Sequence, residues 1–228
     1  MVNDKVLASA SAAVAMIPDG ATVMVGGFGR RGVPEGLILA LRDRGTRNLT
    51  VISHDPGADP GGLGVMVRSG QIRKIVSSHV GEDPEFERRY LSGDLEVELV
   101  PPRTLSERIR AASAGLTGFF TPSGYGTRAA QGRQSVTIDG RCCVLETPLG
   151  ADFALVRGWK GDRHGNIAYR RTPRLLDPAM ATAARRTIVE VERLVEPGQL
   201  APGEVATPGL FVTGVVVGAR RRRRHGWS

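Results

Sequence analysis

The stretch Ala21–Leu41, ATVMVGGFGRRGVPEGLILAL, constrains this chain more than any other. Thr22-Val23-Met24-Val25 is a short, apolar, partly β-branched run that suits a buried strand. Gly26-Gly27-Phe28-Gly29-Arg30-Arg31-Gly32 follows, with four glycines in seven residues. Glycine admits positive φ and lets a ligand or another backbone come close. Pro34 fits a first helical turn, where its missing N–H costs nothing. Leu37, Ile38 and Leu41 then recur at helical spacing and would face a core. The chain therefore turns from strand through a glycine loop into a helix. Backbone N–H groups gathered at that helix start suit an anion: a phosphate, a carboxylate or a developing oxyanion.

Gly27-Phe28-Gly29-Arg30-Arg31-Gly32 also matches the G-x-G-x-x-G of dinucleotide sites, with Asp55 near the position of a ribose-binding acid. Pro34 argues against that reading. In a Rossmann unit the helix begins inside the glycine run. Pro34, two residues past the third glycine, would then remove a hydrogen bond within the helix.

Strand and helix patterns alternate from there. Leu49–Ser53 and Ile72–Ser77 read as strands, and Leu95–Val100 as an alternating one. Leu63–Arg68 reads as a short helix. Asp83–Leu91 reads as a helix opened by Asp83 and Pro84, and Leu105–Ala114 as one capped by Thr104. Asp4–Met16 reads as a leading helix. Such alternation implies an α/β fold with a central, mostly parallel sheet flanked by helices. After Gly115 the texture changes. Val136–Ile138 and Cys142–Leu145 flank Asp139-Gly140, a hairpin signal. Phe153–Arg157, Ile167–Arg170, Thr187–Val191 and Phe211–Val217 read as strands around a helix at Asp177–Ala184, with a turn at Asp162–Asn166. The expectation is one domain over residues 1–218 with a hairpin-bearing second half, then a disordered Arg-rich tail at 219–228.

Composition excludes several classes. At 228 residues, 41% hydrophobic and 24% charged, the chain suits one sizeable globular domain. No apolar run reaches the ~20 residues of a membrane span. The N-terminus has the spacing of an amphipathic helix and lacks a signal-peptide core, so a cytoplasmic location is expected. Of the net charge of +8, Arg220–Arg224 supply five, and elsewhere arginines alternate with acids, as in Glu85–Arg89. That balance describes solvated helix faces, with no nucleic-acid surface. Cys142 and Cys143 are neighbours and would point to opposite faces of a strand, against a mutual disulfide. The four histidines are scattered, so no metal is expected.

Ligands of open parallel sheets bind beyond the carboxyl ends of the strands. That rule collects the loops Gly26–Gly32, His54–Asp59, Val80–Pro84 and Pro101–Thr104 at one edge.

The glycine segment GGFGRRGVPEGLI resembles the signature of the family I CoA-transferases, A-subunit type, which act on 3-oxoacids and 3-oxoadipate. The likeness continues through IRKIVSSHVGEDPEFERRYLSGDLEVEL (Ile72–Leu99), ERIRAASAG, TPSGYGT, ADFALVRGWKGDRHGNIAYR and TIVEVERLVEPGQLAPGEVATPGLFV, from about Asp4 to Val217. It implies a three-layer sandwich. It also implies transfer of CoA between carboxylic acids through a glutamyl–CoA thioester, with coenzyme A as a substrate and no cofactor. The nucleophilic Glu of the family lies in a Ser-Glu-Asn-Gly motif of the B subunit, which is absent here. No catalytic nucleophile is therefore expected in this chain: Glu35 belongs to a first helical turn, and Glu82 lines the pocket or caps the next helix. The implied partner is a B subunit in a heterodimer or α2β2 assembly, with an acyl-CoA and a small carboxylic acid as substrates. Gly26, Gly27, Phe28, Gly29, Arg30, Arg31 and Gly32 would form the CoA and oxyanion loop. His54, Asp55, Gly81, Glu82, Pro102 and Arg103 would line the acid pocket.

Four departures from the family pattern stand out. Typical members carry Asn-Asn where His54-Asp55 stand, and Thr-Pro-Gln-Gly near Pro101-Pro102-Arg103. Arg174–Pro178 departs from an Arg-Asn-Phe pattern, and Arg128–Arg141 is shorter. His54 and Arg103 would bring positive charge, and Asp55 negative. The resemblance thus implies a transferase of altered acid specificity. The same fold could also carry CoA-ester hydrolysis or ring opening, or have lost activity. A third reading is a nucleotide- or nucleic-acid-binding module.

Overall fold

The computed structural model describes residues 4–29, 31–55, 62–80 and 83–218. The elements run α1 (Ala10–Val14), β1 (Thr22–Val25), α2 (Glu35–Arg44), β2 (Leu49–Ser53), α3 (Gly64–Arg68), β3 (Ile72–Ser77), α4 (Pro84–Leu91), β4 (Glu96–Leu99) and α5 (Pro102–Ser113). The second half runs β5 (Phe119–Thr121), β6 (Ser135–Ile138), β7 (Arg141–Glu146), β8 (Ala151–Asp162), β9 (Ile167–Ala168), α6 (Asp177–Ala183), β10 (Ala184–Val195) and β11 (Gly214–Val217).

Seven strands form a parallel sheet in the order β11-β10-β8-β1-β2-β3-β4, and β9 pairs antiparallel with β8. β1 sits at the switch point: the chain first winds outward through β2, β3 and β4, then returns to build β8, β10 and β11 on its other side. The pleat alternates side chains between two cores. Val23, Val25, Val51, Ile75 and Leu155 pack with Val14, Leu37, Ile38, Leu41, Met66 and Phe86 of α1–α4. Met24, Ile52, Val76, Ala154 and Val156 pack on the opposite face with Leu105, Ile109, Met180 and Ala181 of α5 and α6. The result is the expected three-layer α/β sandwich. A separate antiparallel sheet, β5-β7-β6, carries the expected hairpin. Asp139 (φ 48°) and Gly140 (φ 75°) both hold the positive φ that a two-residue hairpin turn requires.

Several expected boundaries differ. The leading helix is confined to Ala10–Val14, capped by the Ser9 hydroxyl. Residues before it lie along β11 instead, with Leu7 N–H donating to Val215 O and Val215 N–H to Lys5 O, both at 2.8 Å. Covering an open strand edge satisfies more backbone groups than one further helical turn. α5 starts at Pro102 with Pro101 as its cap, so Thr104 lies inside the helix and is no N-cap. Pro102 has the fixed φ of a first helical residue. β8 and β10 are each 12 residues long, well beyond the apolar cores Phe153–Arg157 and Thr187–Val191, because their pairing continues to Asp162 and Val195. β9 ends at Ala168, short of the expected Arg170. β11 begins at Gly214, after a 3-10 turn at Gly209–Phe211.

The turn GDRHGN closes around Asp162. Its Oδ1 accepts from His164 N–H (3.0 Å) and Asn166 N–H (2.9 Å), and Asn166 Oδ1 in turn accepts from Gly209 N–H at 2.9 Å. This polar segment ties β8 to the chain before β11.

Candidate active site at the carboxyl edge of the sheet

β1, β2, β3 and β4 all end at one edge, and the segments that follow them converge there. The glycine loop after β1 is a tight excursion. Phe28 N–H donates to Arg31 O at 2.9 Å and Arg31 N–H to Phe28 O at 3.0 Å, closing the loop between them. Gly29 has φ 55°, and a Cβ there would meet only Asp55 Oδ2, at 3.9 Å. Gly29 is thus the glycine of this loop that combines left-handed backbone with open space, beside Asp55.

Gly26 and Gly32 have a different reason to be glycine. A Cβ on Gly26 would lie 2.6 Å from Asp177 Oδ2, and one on Gly32 would overlap the Pro173 ring. The segment from Pro173 to Asp177 therefore clasps both ends of the loop. Asp177, the first residue of α6 and 3% exposed, accepts the Gly27 N–H at 3.2 Å through Oδ1. Its Oδ2 faces the Arg157 N–H at 3.5 Å. Burial raises its pKa to about 7 against the opposing pull of the two amides.

The start of α2 is also filled from within the protein. Pro34 offers no side-chain cap. Glu190, from the middle of β10, reaches across and accepts the Leu37 N–H at 3.1 Å. Its other oxygen takes Arg157 Nη1 at 3.1 Å. Gly36 makes room, since a Cβ there would lie 2.9 Å from Glu190 Oε2. Burial raises the Glu190 pKa, while the amides and Arg157 oppose the shift. The anion that sequence reasoning expects at this helix start is thus an internal carboxylate.

His54 follows β2 and ties three segments together. Nδ1 lies 2.9 Å from Ser78 Oγ, and Nε2 lies 3.1 Å from Ser106 Oγ on α5. The Ser78 hydroxyl donates to the His54 carbonyl at 2.9 Å. The one hydroxyl proton is used there, so Nδ1–H is the donor toward Ser78. On the other side the Ser106 hydroxyl has two acceptors in reach for its single proton, Nε2 and the Pro102 carbonyl at 3.0 Å. Burial lowers the His54 pKa despite the nearby Asp55 charge. The imidazole is a neutral pin, and the positive charge expected of His54 is disfavoured there. The exposed Phe28 ring approaches it edge-on, with centroids 6.3 Å apart.

Pro102 and Arg103 form the exposed first turn of α5, one turn before Ser106. The structure therefore gathers Gly26–Gly29, Arg31, Gly32, His54, Asp55, Pro102 and Arg103 along one edge. Arg30, Gly81 and Glu82 lie outside the described residues, as do residues 56–61 and the tail from 219. Sequence reasoning missed Asp177, Arg157, Glu190, Ser78 and Ser106. Arg157 and Glu190 did carry a signal, as charges inside otherwise apolar strand runs. Among the described residues no His, Cys, Asp and Glu group could hold a metal ion, and no helix is long and apolar enough to cross a membrane.

A parallel sheet with loops converging beside its switch point defines an open α/β protein, the class in which ligands bind beyond the carboxyl ends of the strands. The coenzyme A transferase family model matches residues 7–218, and the chain belongs to that family. It is 48% identical to the A subunit of a probable succinyl-CoA:3-ketoacid coenzyme A transferase of Bacillus subtilis, over 96% of this chain and 92% of that one. It is 46% identical to the A subunit of a 3-oxoadipate CoA-transferase of Pseudomonas putida, over 95% and 94%. Among solved structures it resembles an acyl-CoA transferase of Escherichia coli, a thioester complex with CoA, with a TM-score of 0.87 and 26% identity. That match covers 98% of this chain but 49% of the other, so this chain spans about half of that protein.

Proposed function

We propose that this chain is the A subunit of a two-chain CoA-transferase that moves CoA from an acyl-CoA such as succinyl-CoA to a carboxylic acid of the 3-oxo class. The observation that carries this reading is the near full-length match, in both directions, to A subunits of that activity. The second chain supplies the nucleophile, since no Ser-Glu-Asn-Gly motif occurs here. Coenzyme A is a substrate, and no resident cofactor takes part.

The reaction proceeds by carboxylate exchange. A glutamate carboxylate of the partner attacks the thioester carbonyl and expels CoA thiolate, leaving an acyl–glutamyl anhydride. The thiolate attacks the glutamyl carbonyl, giving the glutamyl–CoA thioester and releasing the first acid. The incoming acid attacks that thioester, and the expelled thiolate takes its acyl group to form the new acyl-CoA. Each attack builds negative charge on a carbonyl oxygen. The Gly27, Phe28 and Arg31 amides are committed within the protein, so the Gly29 side of the loop, held in place before the charge develops, is the part suited to meet it. His54, Asp55, Pro102 and Arg103 face the acid. Arg103 is an exposed cation for a carboxylate, whereas Asp55 repels one, and Pro102 has no N–H to donate.

The test is CoA exchange between succinyl-CoA and a panel of carboxylic acids, by the purified chain and by its complex with a B-type chain. Transfer by the complex and none by the chain alone is expected. Robust exchange by the chain alone would sink the two-subunit reading.

A further inference from the structure

Asp177 is a buried carboxyl group that the transfer chemistry above does not use. Its two oxygens face two backbone amides, one beneath the glycine loop and one on β8. The loop is built around it. Gly26 lacks a Cβ where Asp177 lies, and Pro173, four residues earlier, occupies the space that a side chain on Gly32 would need. Its charged surroundings are few. The Arg157 guanidinium on β8 is committed to Glu190 on β10 at 3.1 Å and does not neutralise Asp177 by a direct ion pair. The Tyr169 hydroxyl, bonded to Thr207 Oγ1 at 2.9 Å, is held in its neutral form by burial and, to a smaller extent, by the Asp177 charge. On the loop side the nearest partner is the Gly27 amide itself.

We infer that Asp177 is a positioning residue for the transferase reaction: it fixes the Gly27 amide, and its charge state governs how well the glycine loop holds an anion on its outer side. This inference rests on the proposed function for its kinetic consequence, and on geometry alone for its structural one. A carboxylate buried under the loop repels an oxyanion bound above it, and the repulsion is weakly screened in a dry site. A neutral carboxyl group keeps an acceptor for Gly27 N–H without that repulsion. Because the group titrates near neutrality, the loop would serve anions better on the acid side of pH 7 than on the basic side.

The experiment compares wild type, Asp177→Asn and Asp177→Ala as full chains, with the B-type partner for kinetics. Asp177→Asn keeps an acceptor for Gly27 and removes the charge. Wild-type kcat/KM for succinyl-CoA is expected to fall about tenfold from pH 6 to pH 8.5, carried by KM and kcat of the anionic steps, whereas Asp177→Asn stays nearly flat. Parallel pH profiles in the two proteins would overturn the charge role. Amide exchange of Gly27, corrected for intrinsic rates, provides a readout that needs no activity. It should accelerate about tenfold or more in Asp177→Ala and stay near wild type in Asp177→Asn. Unchanged Gly27 exchange in Asp177→Ala would overturn the positioning role. If Asp177→Ala does not fold, the wild-type and Asp177→Asn profiles still decide. If the wild-type complex transfers no CoA, the proposed function fails while the exchange measurement still judges Asp177.

Discussion

Glu190 and Leu37 are 153 positions apart, yet the Glu190 carboxylate accepts the Leu37 N–H at 3.1 Å and serves as the missing cap of α2. The same carboxylate neutralises Arg157, so one buried acid joins β10, β8 and the helix that follows the glycine loop.

Removing that acid leaves the buried Arg157 with the more distant Glu192, at 4.0 Å, as its counter-charge, and the helix start uncapped. Glu190→Ala should lower the unfolding free energy by about 3 kcal/mol. Glu190→Gln, which keeps an acceptor for Leu37, should cost about 1–2 kcal/mol. Urea denaturation midpoints at constant slope measure both. Equal and small losses would show that the cap and the ion pair contribute little.

The loop glycines should separate into structural and functional ones. A Cβ at Gly32 would overlap Pro173, so Gly32→Ala combines a clash with positive φ and should lose about 3 kcal/mol of stability. Gly29→Ala meets open space and should lose about 1 kcal/mol, from its positive φ alone. Gly29→Val should abolish CoA-ester turnover in the assembled complex while the fold persists. Thermal melts beside kcat/KM test the contrast, and wild-type kinetics in Gly29→Val would reduce the loop to a simple turn.

His54 and Asp177 should pull the pH dependence of stability in opposite directions. The His54 pKa is lowered by burial in the folded chain, so its contribution is fully present above 6.5 and is lost as pH falls through the folded value. The Asp177 pKa is raised from 3.8 to about 7, so its contribution is fully present below 3.8 and is lost as pH rises toward 7. Melting curves of His54→Asn should therefore fall less steeply than wild type on acidification. Those of Asp177→Asn should fall less steeply between pH 4 and 7. A titration of the His54 ring by NMR with a midpoint at or above 6.5 would contradict the first expectation.

The acid pocket should favour substrates other than short 3-oxo acids. Asp55 brings negative charge toward a substrate carboxylate, and Pro102 cannot supply the donor that an amide side chain would, a bond worth about 0.5–1.5 kcal/mol. His54→Asn, Asp55→Asn and Pro102→Gln together should raise kcat/KM for acetoacetate in the complex. His54 also pins Ser78 and Ser106, so His54→Asn alone should loosen α5 as well. If wild type already handles acetoacetate well, or the triple variant is no better, these loops do not set specificity.

The layered α/β architecture, the hairpin and the family are legible in the residues alone, because those features are written locally. Strands β2 and β3 have their expected limits, Asp83-Pro84 starts a helix as such pairs do, and Asp139-Gly140 supplies the positive φ that its turn needs. The same local patterns point to one sheet edge, since parallel strands bring the following loops together. Which groups meet at that edge is settled only by the folded chain. Gly26 has the makings of a ligand contact, but Asp177 of α6 lies against it. The anion at the start of α2 comes from Glu190, and His54 is a pin between Ser78 and Ser106 that burial keeps neutral. The leading segment lies along β11 because an open strand edge near the other end of the sequence offers it partners. Contacts of this kind join residues far apart in sequence, and no local pattern encodes them, because each depends on where the finished sheet places the other partner.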